Sequence, residues 1–112
     1  MTTINLPDLA NRVLIKVTVL APGESADAAD LLLARQKLVA VHEAVRAADL
    51  LRWSEKNIPL FAQEPYVMMA AFLAAPEFSK APDGSSWLFG LAQIEAGIQT
   101  RKSQDPVYSE SF

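Results

Sequence analysis

His42 is the only histidine in a chain that has no cysteine, so metal or nucleophile chemistry would have to begin with it or with the carboxylates. It stands beside Glu43 in the middle of a long apolar-periodic stretch. A general base needs a pocket, a nucleophile and an orienting partner, and the neighbouring sequence supplies none of these. The simpler assignment is a histidine on a helix surface or at an interface. Asp27 and Asp30, three apart, could ligate a cation, yet no further carboxylate or histidine lies at a recognised spacing. Their position at the start of a helical pattern suits capping and the positive end of a helix dipole better. Glu77 and Asp83 flank a loop, and two carboxylates six residues apart carry little specificity for hydrolysis. No glycine-rich phosphate cradle is present. No residue is therefore nominated for catalysis, cofactor binding or metal binding, and a non-enzymatic protein is expected.

Two sets of residues point instead to partners. Arg46, Arg52 and Lys56 form a modest basic region near the end of the long stretch. Three cations would neutralise only a few phosphates, so a solvated face with local pairs such as Glu43 to Arg46 is the plainer reading. Arg46, Arg52 and Trp53 are nominated for subunit contacts, because aromatic residues and arginine dominate interface energetics. Trp53, Phe61 and Tyr66 bracket the central loop and would otherwise cap the core. The second set lies in the last ten residues. Pro106 forbids helix there, and Val107, Tyr108 and Phe112 are spaced as apolar anchors among polar residues. That pattern suits an extended segment docked on another surface, so these four residues are nominated for partner docking.

The elements that must carry these residues are helical. The chain has 112 residues, 51% apolar and 21% charged, enough for one domain with a real core. Ten basic residues against thirteen acidic ones leave a net charge of −3, which argues against general affinity for nucleic acid backbones. The absence of cysteine favours an intracellular or virion protein over a small secreted scaffold. The N-terminus lacks a signal-peptide layout. The longest uncharged apolar run, Val67 to Ala75, falls far short of the roughly 20 residues a membrane span needs, so no membrane partner is expected.

Pro7 suits the first turn of an opening helix, with Asn5 as its cap. Val13, Ile15, Val17 and Val19 alternate as in a strand, while Leu9, Val13, Val17 and Leu20 fit a helical face; helix is favoured. After the break at "APGES", no glycine or proline occurs from Ala26 to Trp53. Ser25 or Asp27 would cap this segment, and Leu31, Ala34, Leu38, Val41, Val45 and Ala48 make one apolar face. Unbroken, it would be a helix roughly 40 Å long. A third helix is expected to have Gln63 as its cap and Pro65 in its first turn, to be apolar on nearly all sides, and to stop at Pro76. A fourth, capped by Ser85 or Ser86, runs from Trp87 to about Lys102 with Leu88, Leu91, Ala92, Glu95 and Ile98 on one side. The expectation is an all-α fold: a small bundle of about four helices over residues 1–102, with an extended C-terminal tail over 103–112.

The order of these pieces resembles the head-to-tail adaptor proteins of tailed bacteriophages, also described as connector, tail accessory or packaged-DNA-stabilising proteins. The stretches that carry the resemblance are "VLAPGESADAADLLLARQKLVAVHEAVRAADLLRW", "IPLFAQEPYVMMAAFLAAPEF" and "WLFGLAQIEAGIQTRK", with "AAPEF" at Ala74 to Phe78 the most telling. The pattern covers roughly residues 6 to 102. It departs from the family where Ser79 replaces the usual glycine after Pro-Glu-Phe and where a Leu-Asn pair is missing near Val39 to His42. The resemblance implies a virion protein at the head-tail junction, present in the host cytoplasm during assembly. It implies a homo-oligomeric ring of about twelve copies, since a head-to-tail contact can close, seated beneath the portal protein. Such a ring extends the DNA channel, passes DNA without sequence-specific binding, and offers a platform to tail or head-completion proteins. A tail-completion joining protein and a small helical protein-binding or regulatory module are the rival readings.

Overall fold

A computed structural model describes residues 3–103 of the chain, with side chains described for 3–100. The nominated docking residues Pro106, Val107, Tyr108 and Phe112 lie outside the described residues. What is described is all-α. A 3₁₀ turn, Leu6–Leu9, leads into α1 (Ala10–Lys16), followed by α2 (Ala28–Ala47), α3 (Leu60–Ala74), a second 3₁₀ turn (Ala75–Phe78) and α4 (Ser86–Ser103). The opening segment is thus helical and its β-branched alternation is overruled. Val13 and Leu14 are fully buried, and Val17 nearly so, because α1 packs against both α2 and α3. The one element of extended pairing among the described residues is a bridge between Ile4 and Ile58, whose backbone groups exchange hydrogen bonds of 3.2 and 2.9 Å. It fastens the N-terminus to the loop between α2 and α3.

α2 is shorter than its sequence suggests. It ends at Ala47, so it is roughly 30 Å long rather than 40. Asp49 adopts φ 62°, and the helix closes with Leu50 N–H on Val45 O and Asp49 N–H on Arg46 O. This is the Schellman arrangement, in which a left-handed residue lets two N–H groups satisfy the last carbonyls. Asp tolerates that conformation, and no glycine marks the place. The same closure ends α1 at Thr18 (φ 62°) and the second 3₁₀ turn at Ser79 (φ 59°). Ser79 therefore occupies a conformation that favours glycine, the residue that the resemblance calls for at that position. At the other end of α2, Asp27 is the cap by position but makes no side-chain capping bond. Asn5 likewise caps by position alone.

α3 is the hub. It begins at Leu60, not after Gln63, so Pro65 lies inside it. Gln63 is no cap: it is buried and its Nε2 donates to Ile58 O at 3.1 Å. Ala62, Tyr66, Met69, Ala70 and Ala74 are fully buried, and Val67 and Ala71 nearly so. Burial around most of the circumference follows from its neighbours, since α1, α2 and α4 all pack on it. α2 lays Ala34, Leu38, Val41 and Val45 on this core, all at 0% exposure. Each such side chain contributes about 1.5–3 kcal/mol of hydrophobic stabilisation at the larger sizes.

α4 presents a different face from the expected one. Gly90, Ile94 and Ile98 are buried and Trp87, Leu91 and Gly97 half-buried, whereas Leu88, Ala92 and Glu95 are exposed. The reason is close approach. A Cβ on Gly90 would stand 2.6 Å from Met69 Cγ and 2.8 Å from its Sδ, and one on Gly97 would collide with the Cδ1–Cε1 edge of the Phe61 ring. Two glycines seven residues apart cut a groove along α4 that receives α3, and this rotates Leu88 outward. The turn before α4 is held by Asp83, whose Oδ1 accepts from the Ser85 amide (3.1 Å) and hydroxyl (2.8 Å). No helix among the described residues is long and apolar enough to cross a membrane.

Candidate functional site

The polar groups with the most constrained surroundings are His42, Tyr66 and Trp53. His42 sits on α2 one turn beyond Leu38 and beside Val41, so the helical period carries it inward. Its exposure is 1%, which corrects the expectation of a surface or interface histidine. Tyr66 comes from the middle of α3 and is fully buried. Trp53 comes from the loop after α2 and is half-buried against the core. The Trp53 Nε1–H donates to Tyr66 Oη at 3.1 Å, and Tyr66 Oη lies 2.8 Å from His42 Nδ1. Indole N–H can only donate, so the tyrosine oxygen accepts from Trp53. Its own hydroxyl proton is then free to be donated to His42 Nδ1. In this pairing His42 is neutral with its proton on Nε2, and the Trp53 N–H, the Tyr66 hydroxyl and His42 Nδ1 each have a partner. The three rings also pack: His42 and Tyr66 centroids are 5.9 Å apart, Trp53 and Tyr66 6.5 Å, and Phe61 meets Trp53 edge-on at 5.6 Å.

The ionisation of these groups follows from burial. Desolvation pushes the Tyr66 phenol up to about 12, against the opposing effect of the Trp53 hydrogen bond. Desolvation also lowers the His42 pKa; Glu55 opposes this, Arg46 adds to it, and Glu43 opposes it weakly. The histidine is therefore held neutral for structural reasons. The ordinary value of a histidine, which it takes in the unfolded chain, is 6.5, and the folded value lies below it. As pH falls through 6.5 the unfolded chain binds more protons than the folded one, so stability is complete above that pH and declines beneath it until pH passes the folded pKa. The slope in that window is at most about 1.4 kcal/mol per pH unit. Urea denaturation at intervals between pH 5 and 8 should show it. The His42→Gln variant, whose amide oxygen can still accept from Tyr66, should give a flat profile over the same range. A flat profile for the unaltered chain would contradict the assignment, since no other histidine is present.

The structure brings Arg46, Arg52 and Trp53 together. They line one open concavity of about 890 Å³, with Leu51, Glu55 and Lys56 in its walls and His42 beneath. Arg46 stands on the last turn of α2, where its Nε donates to Glu43 at 3.2 Å. Arg52 Nη1 donates to the carbonyls of Asp49 and Leu51, both at 3.1 Å, so the loop holds its own guanidinium in place. Ser54 Oγ accepts from Lys56 N and Asn57 Nδ2, and Glu55 O accepts from Leu6 N at 2.7 Å. The loop is thus tied to the N-terminus at one end and to Tyr66 in its middle.

Two ion-pair groups tie other elements together. Glu64 bridges α3 to α1 through Arg12 (2.8 Å) and Lys16 (2.7 Å). Desolvation alone would raise its carboxyl, but the bonds to Lys16 and Arg12 outweigh it and hold the group below its usual range. Glu77 reaches Lys37 at 3.4 Å. Among the described residues no group of three potential ligands could hold a metal ion. A second groove of about 440 Å³, between the end of α1 and the turn before α4, is lined by Met68, Ala71, Phe72 and Ala75 together with Lys16, Thr18, Lys80 and Asp83.

Sequence reading missed the link from His42 to Tyr66, 24 residues apart. The signal was present, because position 42 lies four beyond Leu38 on the buried stripe. It also missed Gly90 and Gly97 as packing residues, and Leu88 and Phe89 as exposed ones. What fold and site define is a small all-α bundle with His42 and Tyr66 closed into its core. No family model, curated protein or solved structure matches the chain.

Proposed function

We propose that this chain is a structural virion protein, the subunit of a head-to-tail adaptor ring beneath a portal, extending the DNA channel and carrying the tail platform. The observation that supports this reading best is the placement of its exposed apolar side chains. Leu32 and Val39 are 57% and 44% exposed on α2, and Leu88 and Phe89 are 74% and 53% exposed on α4. α2 and α4 both pack on α3 and barely meet each other, so the two pairs mark different flanks of the molecule. Two unlike flanks suit a heterologous contact, which repeats from copy to copy and closes into a ring. The two ionisable rings with chemical potential, His42 and Tyr66, are spent on each other, so no side chain is assigned to catalysis. An acidic chain also suits a channel through which DNA must slide, because dense phosphate contacts would retard it. The partners are then the portal, further copies of the chain and the tail or head-completion proteins. The site of action is the head-tail junction.

Electron microscopy of the protein mixed with the purified portal of the same virus tests this. A ring seated on the portal is the expected result; a portal left bare at saturating protein rejects the reading. Leu32→Asp and Leu88→Asp should each abolish ring formation while changing fold stability by no more than about 0.5 kcal/mol, as surface substitutions usually do. Mixed together, the two variants should form a capped dimer through their intact flanks and nothing larger, as sedimentation would reveal. Rings from either variant alone would mean these flanks are not the contact.

A further inference from the structure

The concavity at the end of α2 combines three cations with a tryptophan, and it lies at the end of the molecule where α4 finishes. Phe61 links the two places: its ring packs edge-on against Trp53 in the concavity wall and fills the notch at Gly97 on α4. From Gly97, α4 continues to Ser103, and the sequence then runs on through residues 104–112. Nine residues can span up to about 30 Å when extended, ample to reach such a concavity on an adjacent copy.

Charge and chemistry match. The walls hold Arg46, Arg52 and Lys56 with the acid Glu55, and Arg46 is also paired with Glu43 at 3.2 Å, which leaves the concavity net cationic. Segment 104–112 holds Asp105 and Glu110 and no base, with Tyr108 and Phe112 as its aromatic residues. Arg52 is already positioned by two backbone carbonyls through one of its nitrogens. A guanidinium carries five N–H donors in a planar fork, so it can still bind a carboxylate bidentately. Trp53 and Leu51 offer an apolar wall to an aromatic side chain, and Trp53 cannot swing away, because its indole N–H is bound to Tyr66. Pro106 restricts φ and lowers the entropy lost on docking.

We infer that the concavity of Arg46, Arg52, Trp53 and Lys56 receives segment 104–112 of a neighbouring copy, so that these residues are the two halves of one copy-to-copy contact. The inference rests on the head-to-tail ring reading and deepens it. Asp105 and Glu110 pair with the arginines and lysine, and Tyr108 or Phe112 packs on Trp53. The contact joins a projecting element to a recess on the next subunit, which is the heterologous geometry a ring requires.

The chain has no cysteine, which allows a direct test on full-length protein. Chains carrying Glu55→Cys are mixed with chains carrying Tyr108→Cys and oxidised mildly. The expected product is the mixed disulfide dimer, in at least tenfold excess over either like pair. Adding Arg46→Glu and Arg52→Glu to the first chain should remove that excess, and adding Asp105→Lys and Glu110→Lys to the second should restore it. A random distribution of dimers overturns the inference. So does closure only within a chain carrying both cysteines, which would place the segment on its own copy. A DNA duplex that binds at low salt and is lost in the Arg46→Glu, Arg52→Glu chain would assign the concavity to phosphate backbones and equally overturn it. Portal binding is read separately: a ring on the portal without the mixed disulfide sinks this inference alone, and the mixed disulfide without a ring sinks the adaptor reading alone.

Discussion

Tyr66→Ala should lower the unfolding free energy by about 4–5 kcal/mol, the upper end of what deleting a buried aromatic side chain costs. Two losses add. A cavity opens at the centre of α3, where Tyr66 has no exposed surface. The Trp53 N–H and His42 Nδ1 also lose the oxygen that joins them, and an unsatisfied buried polar group costs about 1–3 kcal/mol. Domains of this size are stable by only about 5–15 kcal/mol, so the variant should be largely unfolded well below the melting temperature of the parent. Tyr66→Phe isolates the second loss. It keeps the ring and removes the hydroxyl, and should cost about 2 kcal/mol, because half-buried Trp53 can recover a water partner while His42 cannot. Urea denaturation followed by circular dichroism reads both. If Tyr66→Phe matched the parent within a few tenths of a kcal/mol, the three-ring hydrogen-bonded chain would not be the structural centre described above.

Gly97→Leu should be the second most damaging change, at about 3 kcal/mol, the upper part of the range for overpacking a core contact. Even a methyl at this position meets the Phe61 ring. Phe61 cannot yield freely, because Trp53 packs against its edge at 5.6 Å. The damage should be local first: α4 lifts from α3, and amide exchange should accelerate across the second half of α4 more than in α2. Gly97→Ala provides the control. Ala gains about 1 kcal/mol in helix propensity over Gly, so its net cost should be smaller, about 1 kcal/mol. If Gly97→Leu melted at the parent temperature, the close approach of α3 and α4 at that point would be wrong.

Both predictions come from contacts that no local stretch of sequence contains. The apolar periodicity of α2 was legible because Ala34, Leu38, Val41 and Val45 repeat at helical spacing, and a buried stripe follows from that repeat alone. The hub role of α3 was legible too, since a segment apolar on every side must be surrounded. The end of α2 was not. Asp49 takes a left-handed conformation without glycine to signal it, and the turn closes only because Leu50 gains a place on the core. The start of α3 was misplaced for a related reason. Pro65 reads as a first-turn residue, yet the helix accepts it in its interior because packing on three neighbours outweighs one missing hydrogen bond.

The candidate site divides the same way. Arg46, Arg52 and Trp53 were nominated by residue type, and the loop fold gathers them around one concavity with Lys56. His42 was read as a surface or interface residue because its partner lies on another helix. The sequence by itself determined an all-α bundle, its central helix and its acidic balance. These are properties of composition and period, which need no knowledge of what lies opposite. The tertiary structure alone decided that His42 faces inward to Tyr66, that α4 turns its glycines to α3 and its Leu88 to solvent, and where each helix stops. Those outcomes depend on whether an opposing surface exists to satisfy a polar atom or fill a notch, and that surface comes from residues far away in the chain.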